Sequence, residues 1–242
     1  MKHSFKNPVV VALGGSIIYP DGIDTAFLKK FKKFTAPFLR RGVKFVLVIG
    51  GGNLARRFQD AAAKVAPVTS DDRDWIGIHA TRLNGHLVRT IFRKVADPVM
   101  IDARHKLPRL MYPVTVAAGW RPGWSTDYVA AVLAHDFGAG EYVVAGKPAF
   151  VYDKNPDEYR DARPHHALSW KKYRAMIPKK WMPGAHAPVD PIAAKFSDEH
   201  RLSAVIIDGR NLANLKRYLE GKRFDGTVIS KDERPLRSSK RA

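Results

Sequence analysis

The chain has 242 residues, 45% hydrophobic and 27% charged, so it is long enough for one large α/β domain and its composition excludes a disordered or fibrous chain. Its formal net charge of +19 predicts anionic partners such as nucleotides, phosphate or nucleic acid. The absence of cysteine excludes disulfides and thiolate chemistry, and no apolar stretch approaches the roughly 18 residues of a membrane helix. We expect a cytoplasmic protein with one domain at residues 1–230 and a basic tail at residues 231–242.

Five short apolar runs predict buried strands, at residues 9–13, 44–49, 114–118, 142–145 and 203–207. Turn glycines and helical patterns follow these runs, an order that is typical of βαβ units around a parallel sheet. We therefore predict an α/β fold with a largely parallel central sheet.

Helical spacing predicts four helices between these strands, at residues 24–38, 53–65, 75–95 and 126–137. The first carries an apolar stripe that predicts packing against the core. Asp24 and Asn53 are the expected caps of the first two helices, and Gly138 ends the fourth. Residues 153–189 are rich in proline, histidine and lysine with little periodicity, so we expect an irregular excursion over one edge of the sheet.

Two glycine-rich loops follow the first two strands, LGGS at residues 13–16 and IGGGNLARR at residues 49–57. Consecutive glycines bring amide N–H groups against an oxyanion, and a following helix adds its positive N-terminal end. Neither loop matches the Walker pattern or the GxGxxG fingerprint. An isolated glycine pair is more often a tight turn, but loops after two parallel strands face one crevice. Together they predict a shared phosphate site.

Two further features point to the same crevice. Arg56 lies about one turn into the helix after the second loop, where its guanidinium can reach phosphate oxygens held by Gly51 and Gly52. The segment AGWRPGWSTDYVAA, residues 118–131, follows a third strand and places hydroxyl and carboxylate side chains at a helix start. Helix capping alone explains such side chains, and their position after a strand favours a ligand role at least equally.

Seven segments spread from Val9 to Ser230 carry a resemblance to a known family: VVVALGGSI, VIGGGNLARRF, DWIGIHATRLNG, AGWRPGWSTDYVAAVLA, FVYDKNP, VDPIAAK and GTVIS. Together they are similar to UMP kinases of the amino-acid kinase superfamily, in particular to the archaeal-type branch. The resemblance implies a three-layer αβα sandwich, the amino-acid kinase (carbamate kinase-like) fold. It also implies phosphoryl transfer from ATP to UMP with Mg²⁺, and a homo-oligomer, commonly a hexamer.

The resemblance implies residue roles by position. Arg56, Asp127 and Asp190 would act at the reaction centre, and Lys195 is a further cationic candidate. Residues 1–140 would hold the acceptor and residues 141–230 would hold ATP. The implied ATP contacts are Gly14, Gly15, Ser16, Gly52, Arg56, Gly146, Lys147, Tyr152 and Asn155. The implied UMP contacts are Gly51, Asp74, Trp120, Arg121, Pro122, Gly123, Trp124, Ser125 and Thr126.

The chain departs from the family pattern at two places. Ala149 and Phe150 replace an Asp-Gly pair, and Asn155 stands where an aspartate is usual. Trp120 and Trp124 replace smaller or polar residues of the acceptor loop. Two alternatives therefore stay open: a nucleotide-binding protein of this fold without catalysis, and a kinase of another small phosphorylated acceptor such as isopentenyl phosphate.

The nine histidines show no metal-ligand spacing, so no residue is assigned as a metal ligand. The sequence also has no RNP-like aromatic motif, KH loop or zinc knuckle. We expect a solvated basic surface whose affinity for nucleic acid is incidental.

Overall fold

A computed structural model describes residues 7–179 and 187–233 of the chain. Strands and helices alternate along most of it. In chain order they are β1 (Val9–Leu13), α1 (Gly15–Ile18), α2 (Thr25–Arg40), β2 (Phe45–Ile49), α3 (Gly52–Val65), α4 (Ser70–Ile91), β3 (Val114–Ala117), α5 (Thr126–Asp136), β4 (Glu141–Gly146), β5 (Val151–Tyr152), β6 (Pro164–His165), β7 (Ala167–Ser169), α6 (Trp170–Met176), α7 (Pro191–Glu199), β8 (Ser203–Asp208), α8 (Leu212–Leu219) and β9 (Thr227–Ser230). Most of the expected basic tail, from residue 234 onward, lies outside the described residues.

Seven strands form the central sheet in the order β3-β2-β1-β4-β8-β9-β7. Neighbouring strands are parallel except for the antiparallel pair β8 and β9. The chain moves outward from β1 through β2 to β3, and then returns to the other side of β1 with β4. The sheet therefore has a topological switch point between β1 and β4, and ligands of open α/β sheets bind beyond the carboxyl ends of the strands at such a point.

The side chains of β1 alternate between two hydrophobic cores. Val9, Val11 and Leu13 pack into the core that includes α2, α4 and α8, whereas Val10 and Ala12 pack into the core that includes α5, α6 and α7. This alternation is the two-residue period of a strand, and it shows that helices cover the sheet on both faces. The predicted three-layer αβα sandwich is confirmed.

Two of the expected helix starts are wrong. The helix expected from residue 75 begins five residues earlier at Ser70, because Thr69 and Asp72 form a reciprocal capping box. The amide N–H of Asp72 donates to Thr69 Oγ1 at 3.1 Å, and the Thr69 amide N–H donates to Asp72 Oδ2 at 3.2 Å. Asn53 does not cap α3, since that helix begins at Gly52 with Gly51 as a cap that makes no side-chain hydrogen bond.

The expected irregular excursion at residues 153–189 contains regular structure. It holds most of the small β5–β6 hairpin, the edge strand β7 and the helix α6. These short elements are held by distant parts of the chain: the indole N–H of Trp170 donates to the Leu202 carbonyl at 2.8 Å, and the Val151 amide donates to Thr227 Oγ1 at 2.9 Å. Such long-range contacts leave no periodic signal in the local sequence.

Candidate active site

The two predicted phosphate loops are in direct backbone contact. A Cβ atom added to Gly15 would lie 2.1 Å from the Gly52 nitrogen, and one added to Gly52 would lie 2.3 Å from the Gly15 carbonyl carbon. Gly52 also has a φ of +62°, a conformation that side chains disfavour. Only glycine at both positions allows the tips of β1 and β2 to approach this closely.

The loop after β1 also contacts the tip of β4 across the switch point. The Gly14 amide donates to the Ala145 carbonyl at 2.9 Å, and a Cβ at Gly14 would lie 3.3 Å from the Gly146 Cα. The predicted ATP residues Gly14 and Gly146 are therefore neighbours. Because its amide is already engaged, Gly14 contributes the close approach of the two loops rather than a donor for phosphate.

The turn after β8 also lies at this edge of the sheet, and sequence reasoning missed it. Its Gly209 amide donates to the Gly146 carbonyl at 3.1 Å, and a Cβ on Gly209 would lie 2.8 Å from the Ala145 carbonyl oxygen. Asp208, which pairs with Gly146 in the sheet register, accepts the Arg210 amide at 2.9 Å. The Asp-Gly pair directly after an apolar strand was the available signal.

Two polar side chains of α4 hold the loops in place, and neither was among the predicted residues. The buried Asn84 donates through Nδ2 to the Gly50 carbonyl at 3.0 Å and to the Gly51 carbonyl at 3.1 Å. Thr81 accepts the Gly119 amide at 2.8 Å. Both belong to the segment DWIGIHATRLNG, in which Thr81 lies two turns after Asp74 on the same face of α4. A polar residue at a position where helical spacing demands an apolar one was the signal.

The acceptor loop is fixed to α4 by a predicted pair. Asp74 Oδ2 accepts the Gly123 amide at 2.8 Å. Burial raises the pKa of the Asp74 carboxyl, and the bond from Gly123 opposes that rise. Two residues that the resemblance assigned to one substrate therefore meet although 49 positions separate them in sequence.

The two tryptophans of the acceptor loop have different environments. Trp120 is only 6% exposed and packs in the core, with its indole N–H directed to the Ile101 carbonyl at 3.4 Å. Trp124 is half-buried and packs edge-on against Tyr128 at a centroid distance of 4.7 Å. The Arg121 guanidinium lies 4.0 Å from the centre of the Trp124 ring. Trp120 is thus a packing residue in its side chain, and Trp124 with Arg121 forms the accessible part of the loop.

A pair of carboxylates lies where α5 and α7 begin. Asp190 caps α7, with Oδ1 accepting the amides of Ile192 at 2.8 Å and Ala193 at 3.0 Å. Its other oxygen accepts the hydroxyl of Ser125. Ser125 caps α5 in turn, because its Oγ accepts the Tyr128 amide at 3.0 Å. This network connects Ser125, a predicted acceptor residue, to Asp190, a predicted residue of the reaction centre.

Asp190 lies close enough to Asp127 to affect the ionisation of that carboxyl. Burial, and then the charge of Asp190, raise the pKa of Asp127 to about 8. Burial also raises the pKa of Asp190, although the Ser125 hydroxyl and the first amides of α7 oppose that rise. Two carboxylates in a site of low polarity resist simultaneous ionisation, so the pair favours a proton or a cation between them.

A buried tyrosine fixes the segment before Asp190. Tyr173 Oη donates to the Val189 carbonyl at 2.6 Å and accepts the Val189 amide at 2.8 Å. Both backbone groups of Val189 are therefore satisfied by one side chain of α6. Tyr173 is a positioning residue that sequence reasoning missed, because its partner lies 16 positions away.

Arg56 is exposed on the first turn of α3, where Asn53 orients it. Its Nε donates to Asn53 Oδ1 at 2.8 Å, and its Nη2 donates to the same oxygen. The Asn53 amide in turn donates to the Pro20 carbonyl. The guanidinium is thus held by Asn53, the residue after Gly52, which was expected to be a helix cap.

The remaining predicted ATP residues lie beyond the tip of β4. Lys147 is exposed and directly follows Gly146, while Tyr152 lies in the β5–β6 hairpin with its ring 6.0 Å from Phe150. Phe150 also contacts His166 at a centroid distance of 5.3 Å. Asn155 is in an exposed turn, and its amide donates to Glu158 Oε1 at 2.7 Å. The aromatic residues around Phe150 provide a surface on which a planar ring can stack.

The other predicted residues fall as follows. Ser16 is half-buried in α1 beside Gly15, Gly51 precedes α3, and Pro122 and Thr126 flank the Asp74 contact at the start of α5. Lys195 is exposed on α7 and lies 3.8 Å from Glu199.

Within residues 7–179 and 187–233, no group of three or more histidine, aspartate or glutamate side chains has the arrangement of a metal site. No helix of those two ranges is long and apolar enough to span a membrane.

The comparisons with known proteins agree with this geometry. The sequence profile described as the amino acid kinase family matches residues 7–208. The chain is 34% identical over 225 residues to the uridylate kinase of Methanothrix thermoacetophila, covering 91% of this chain and 98% of the relative. It is 30% identical over 224 residues to that of Methanocorpusculum labreanum, covering 91% and 94%.

Solved structures give the same result. The uridylate kinase of Archaeoglobus fulgidus superposes with a TM-score of 0.77 at 26% identity, covering 92% of this chain and all of the other. The UMP kinase of Bacillus anthracis superposes with a TM-score of 0.71 at 17% identity, covering 93% and 96%, and this match shows the fold alone. From the profile, the full-length relatives and the shared sheet, we conclude that the chain belongs to the amino acid kinase family.

Proposed function

We propose that this protein transfers a phosphoryl group from ATP to UMP, giving UDP and ADP. The observation that carries the proposal is the contact between the Gly15 and Gly52 backbones, which joins two amide-rich loops after β1 and β2, beside the switch point of the sheet. Such loops bind phosphate through backbone N–H groups. The uridylate kinase relatives, which span nearly the whole chain, support the choice of substrates.

The site divides into two halves along the sheet. In the proposal, residues 1–140 of the single domain hold the acceptor and residues 141–230 hold ATP. Asp74, an acceptor of hydrogen bonds only, receives ribose hydroxyls of UMP, and the 120–126 loop closes over the nucleotide. Gly146, Lys147 and the aromatic surface of Tyr152 receive ATP. The two halves meet at Ser125 and Asp190.

Phosphoryl transfer needs positioning and charge stabilisation rather than a protein base. The phosphate of UMP has a second pKa of about 6 and is a competent nucleophile near neutral pH. The amides of the glycine loops and the Arg56 guanidinium neutralise charge on the transferring group. Asp127 and Asp190 orient the reactants and accept no proton from the nucleophile.

The carboxylate pair fits Mg²⁺ that arrives with ATP. Magnesium in kinase sites is held by one or two carboxylates, substrate phosphates and water rather than by a protein cage. The raised pKa values of Asp127 and Asp190 are those of a pair that a cation stabilises. When bound, the ion supplies charge neutralisation between the phosphates, and the Ser125 hydroxyl keeps Asp190 in its orientation.

An acceptor panel tests the proposed function. Purified protein is incubated with ATP and Mg²⁺ and with UMP, CMP or isopentenyl phosphate, and products are identified by mass. We expect UDP as the main product. Preferential turnover of another acceptor would show that the protein is a kinase of that acceptor. Tight ATP binding with no turnover of any acceptor would favour the non-catalytic alternative.

The expected homo-oligomer belongs to the same proposal. Helices α3 and α4 carry apolar side chains on their outer faces, with Phe58 and Leu83 both 63% exposed. Val65 continues the stripe on α3 and Trp75 continues it on α4. Exposed patches of this kind are typical of protein interfaces, which supports self-association through these two helices. The hexameric arrangement and the cytoplasmic location stay predictions.

A further inference from the structure

A second concave site lies away from the glycine loops. A cavity of about 710 Å³ opens between α6, α7 and the end of β9. We call it the basic cavity, because five cationic side chains and a single acidic one line it: Lys171, Arg174, Lys179, Lys195, Lys231 and Asp198. Alanine, isoleucine and proline complete its walls. None of the residues assigned to ATP or UMP lines it, although Lys195, the further cationic candidate of the sequence analysis, does.

The topology places one end of the basic cavity at the edge of the sheet opposite the nucleotide site. Strand β9 runs antiparallel to β8, so Lys231, directly after β9, lies at the opposite edge of the sheet from Gly209. Strand β7 runs parallel to β9, and α6 follows β7 without a break. The cavity therefore has one end at the edge opposite the glycine loops, and its lining extends along α7 to Pro191, the residue after Asp190.

A partly buried acid organises part of the cavity. The Asp198 side chain is 16% exposed and pairs with Arg174 at 3.2 Å and with Lys231 at 2.7 Å. Lys195 is 3.8 Å from Glu199, while Lys171 and Lys179 form no ion pair with any carboxylate in the part of the chain that the structure describes. Five cations around one acid leave an excess of four positive charges, and such a concave surface concentrates anions.

The lining indicates the class of anion. It contains no aromatic side chain, so it offers no surface for stacking a nucleobase. Lysine predominates, and lysine binds phosphate as a compact point charge. The volume falls in the range of small-molecule sites. We propose that the basic cavity binds a small multiply charged oxyanion of the polyphosphate type at a site separate from the two substrates.

Isothermal titration with inorganic tripolyphosphate tests this proposal. The full chain is first saturated with UMP and a non-hydrolysable ATP analogue, so that the glycine loops are occupied. The double variant Lys171→Ala/Lys231→Ala removes two cations of the cavity. Lys30→Ala/Lys64→Ala is the matched control, because it removes the same charge from exposed positions on α2 and α3.

We expect the cavity variant to bind tripolyphosphate roughly tenfold more weakly, and the control to change by less than about twofold. Asp198→Asn removes the only acid of the lining and should strengthen binding about threefold. Equal affinity of wild type and cavity variant would overturn the proposal, as would an equal loss in the control, which indicates diffuse surface charge. If single-stranded RNA bound more tightly than tripolyphosphate and the cavity variant abolished that binding, the ligand of the cavity would be nucleic acid and the small-anion proposal would be wrong.

Discussion

Asp74 is the residue whose proposed role is easiest to isolate. Asp74→Asn keeps the shape of the side chain but removes the charge that would accept the ribose hydroxyls. A hydrogen bond to a charged group is worth about 1.5–3 kcal/mol, so we expect kcat/KM for UMP to fall roughly 10- to 100-fold, with the KM for ATP unchanged. Steady-state kinetics with each substrate varied in turn measures both quantities.

The control for Asp74 is Asp60→Asn, which makes the same change at an exposed position of α3. It should leave both kinetic parameters within about twofold. If Asp74→Asn also left kcat/KM for UMP unchanged, the ribose role of this carboxylate would be wrong.

Asp127 should make stability depend on pH. Its pKa in the folded protein is about 8, against an ordinary value of 3.8. Between these values the folded protein retains a proton that the unfolded chain has released, so stability decreases as pH rises from about 4 to about 8. Asp127→Asn resembles the protonated form at every pH. We expect the melting temperature of the variant to exceed that of wild type by an amount that grows from pH 5 to pH 8.

The measurement is differential scanning calorimetry without nucleotide or Mg²⁺, since a bound cation would lower the pKa of the carboxyl. Asp60→Asn again serves as the control and should give a difference that does not vary with pH. A constant difference for Asp127→Asn across this range would mean that the carboxyl is ionised in the folded protein.

At this scale, the sequence identified side chains whose chemistry is visible without partners. The roles expected for Asp74, Asp127 and Asp190 came from the family resemblance, which assigns carboxylates by their position in a motif. Asn84 and Tyr173 were missed because they act by hydrogen bonding to backbone carbonyls and amides of segments that are distant in sequence. Asn53 was misread, because a polar residue at a helix start is equally consistent with a cap and with an anchor for Arg56.

Among the elements, the contact between the two glycine loops makes a sharp prediction. Gly52→Ala places a Cβ 2.3 Å from the Gly15 carbonyl carbon and keeps a side chain at φ +62°. The backbone must shift, so we expect a loss of roughly 3–5 kcal/mol in the free energy of unfolding and loss of nearly all kinase activity. Urea denaturation and the UDP assay measure the two effects.

Gly42→Ala is the matched control, because Gly42 has a φ of +79° but a Cβ there would meet nothing within 4 Å. It should cost only the conformational energy of about 1–2 kcal/mol and leave activity intact. Equal costs at the two positions would show that the approach of the loops has no energetic role.

Elements were predictable where local pattern and final environment agree. Strands β1 and β2 are apolar throughout because both faces are covered, and α2 has a polar outer face and a phenylalanine stripe that packs in the core. The α4 start was missed because its capping box lies before the apolar periodicity begins. Strands β5, β6 and β7 are two or three residues long, too short for any period to appear.

For the whole molecule, the apolar stripe on α3 and α4 predicts self-association. A glutamate at Leu83 would place a charge in the proposed interface, and burying an unpaired charge is strongly unfavourable. We expect Leu83→Glu to lower the mass in solution, measured by light scattering after gel filtration, while its circular dichroism spectrum stays that of wild type. Met111→Glu, at a position that is 61% exposed and outside both helices, is the control.

A wild-type protein that is monomeric at micromolar concentration would contradict this prediction.

The overall architecture was predictable from the sequence because the order of strands and glycine turns permits few topologies. The apolar stripe on α3 and α4 could not be predicted, since Phe58 falls at a helical spacing that is equally typical of a core residue. Its exposure depends on how α3 and α4 pack on the sheet, which no local pattern contains.

The hydrogen bond from the Ser125 hydroxyl to the Asp190 carboxylate joins the N-terminal ends of α5 and α7, which lie in the proposed acceptor and ATP halves of the site. A nucleotide that tilts one helix must therefore pull on the other. By thermodynamic reciprocity, the factor by which ATP alters the dissociation constant of UMP equals the factor by which UMP alters that of ATP. We therefore expect the binding of ATP and the binding of UMP to be coupled before phosphoryl transfer, through the single hydrogen bond between Ser125 and Asp190.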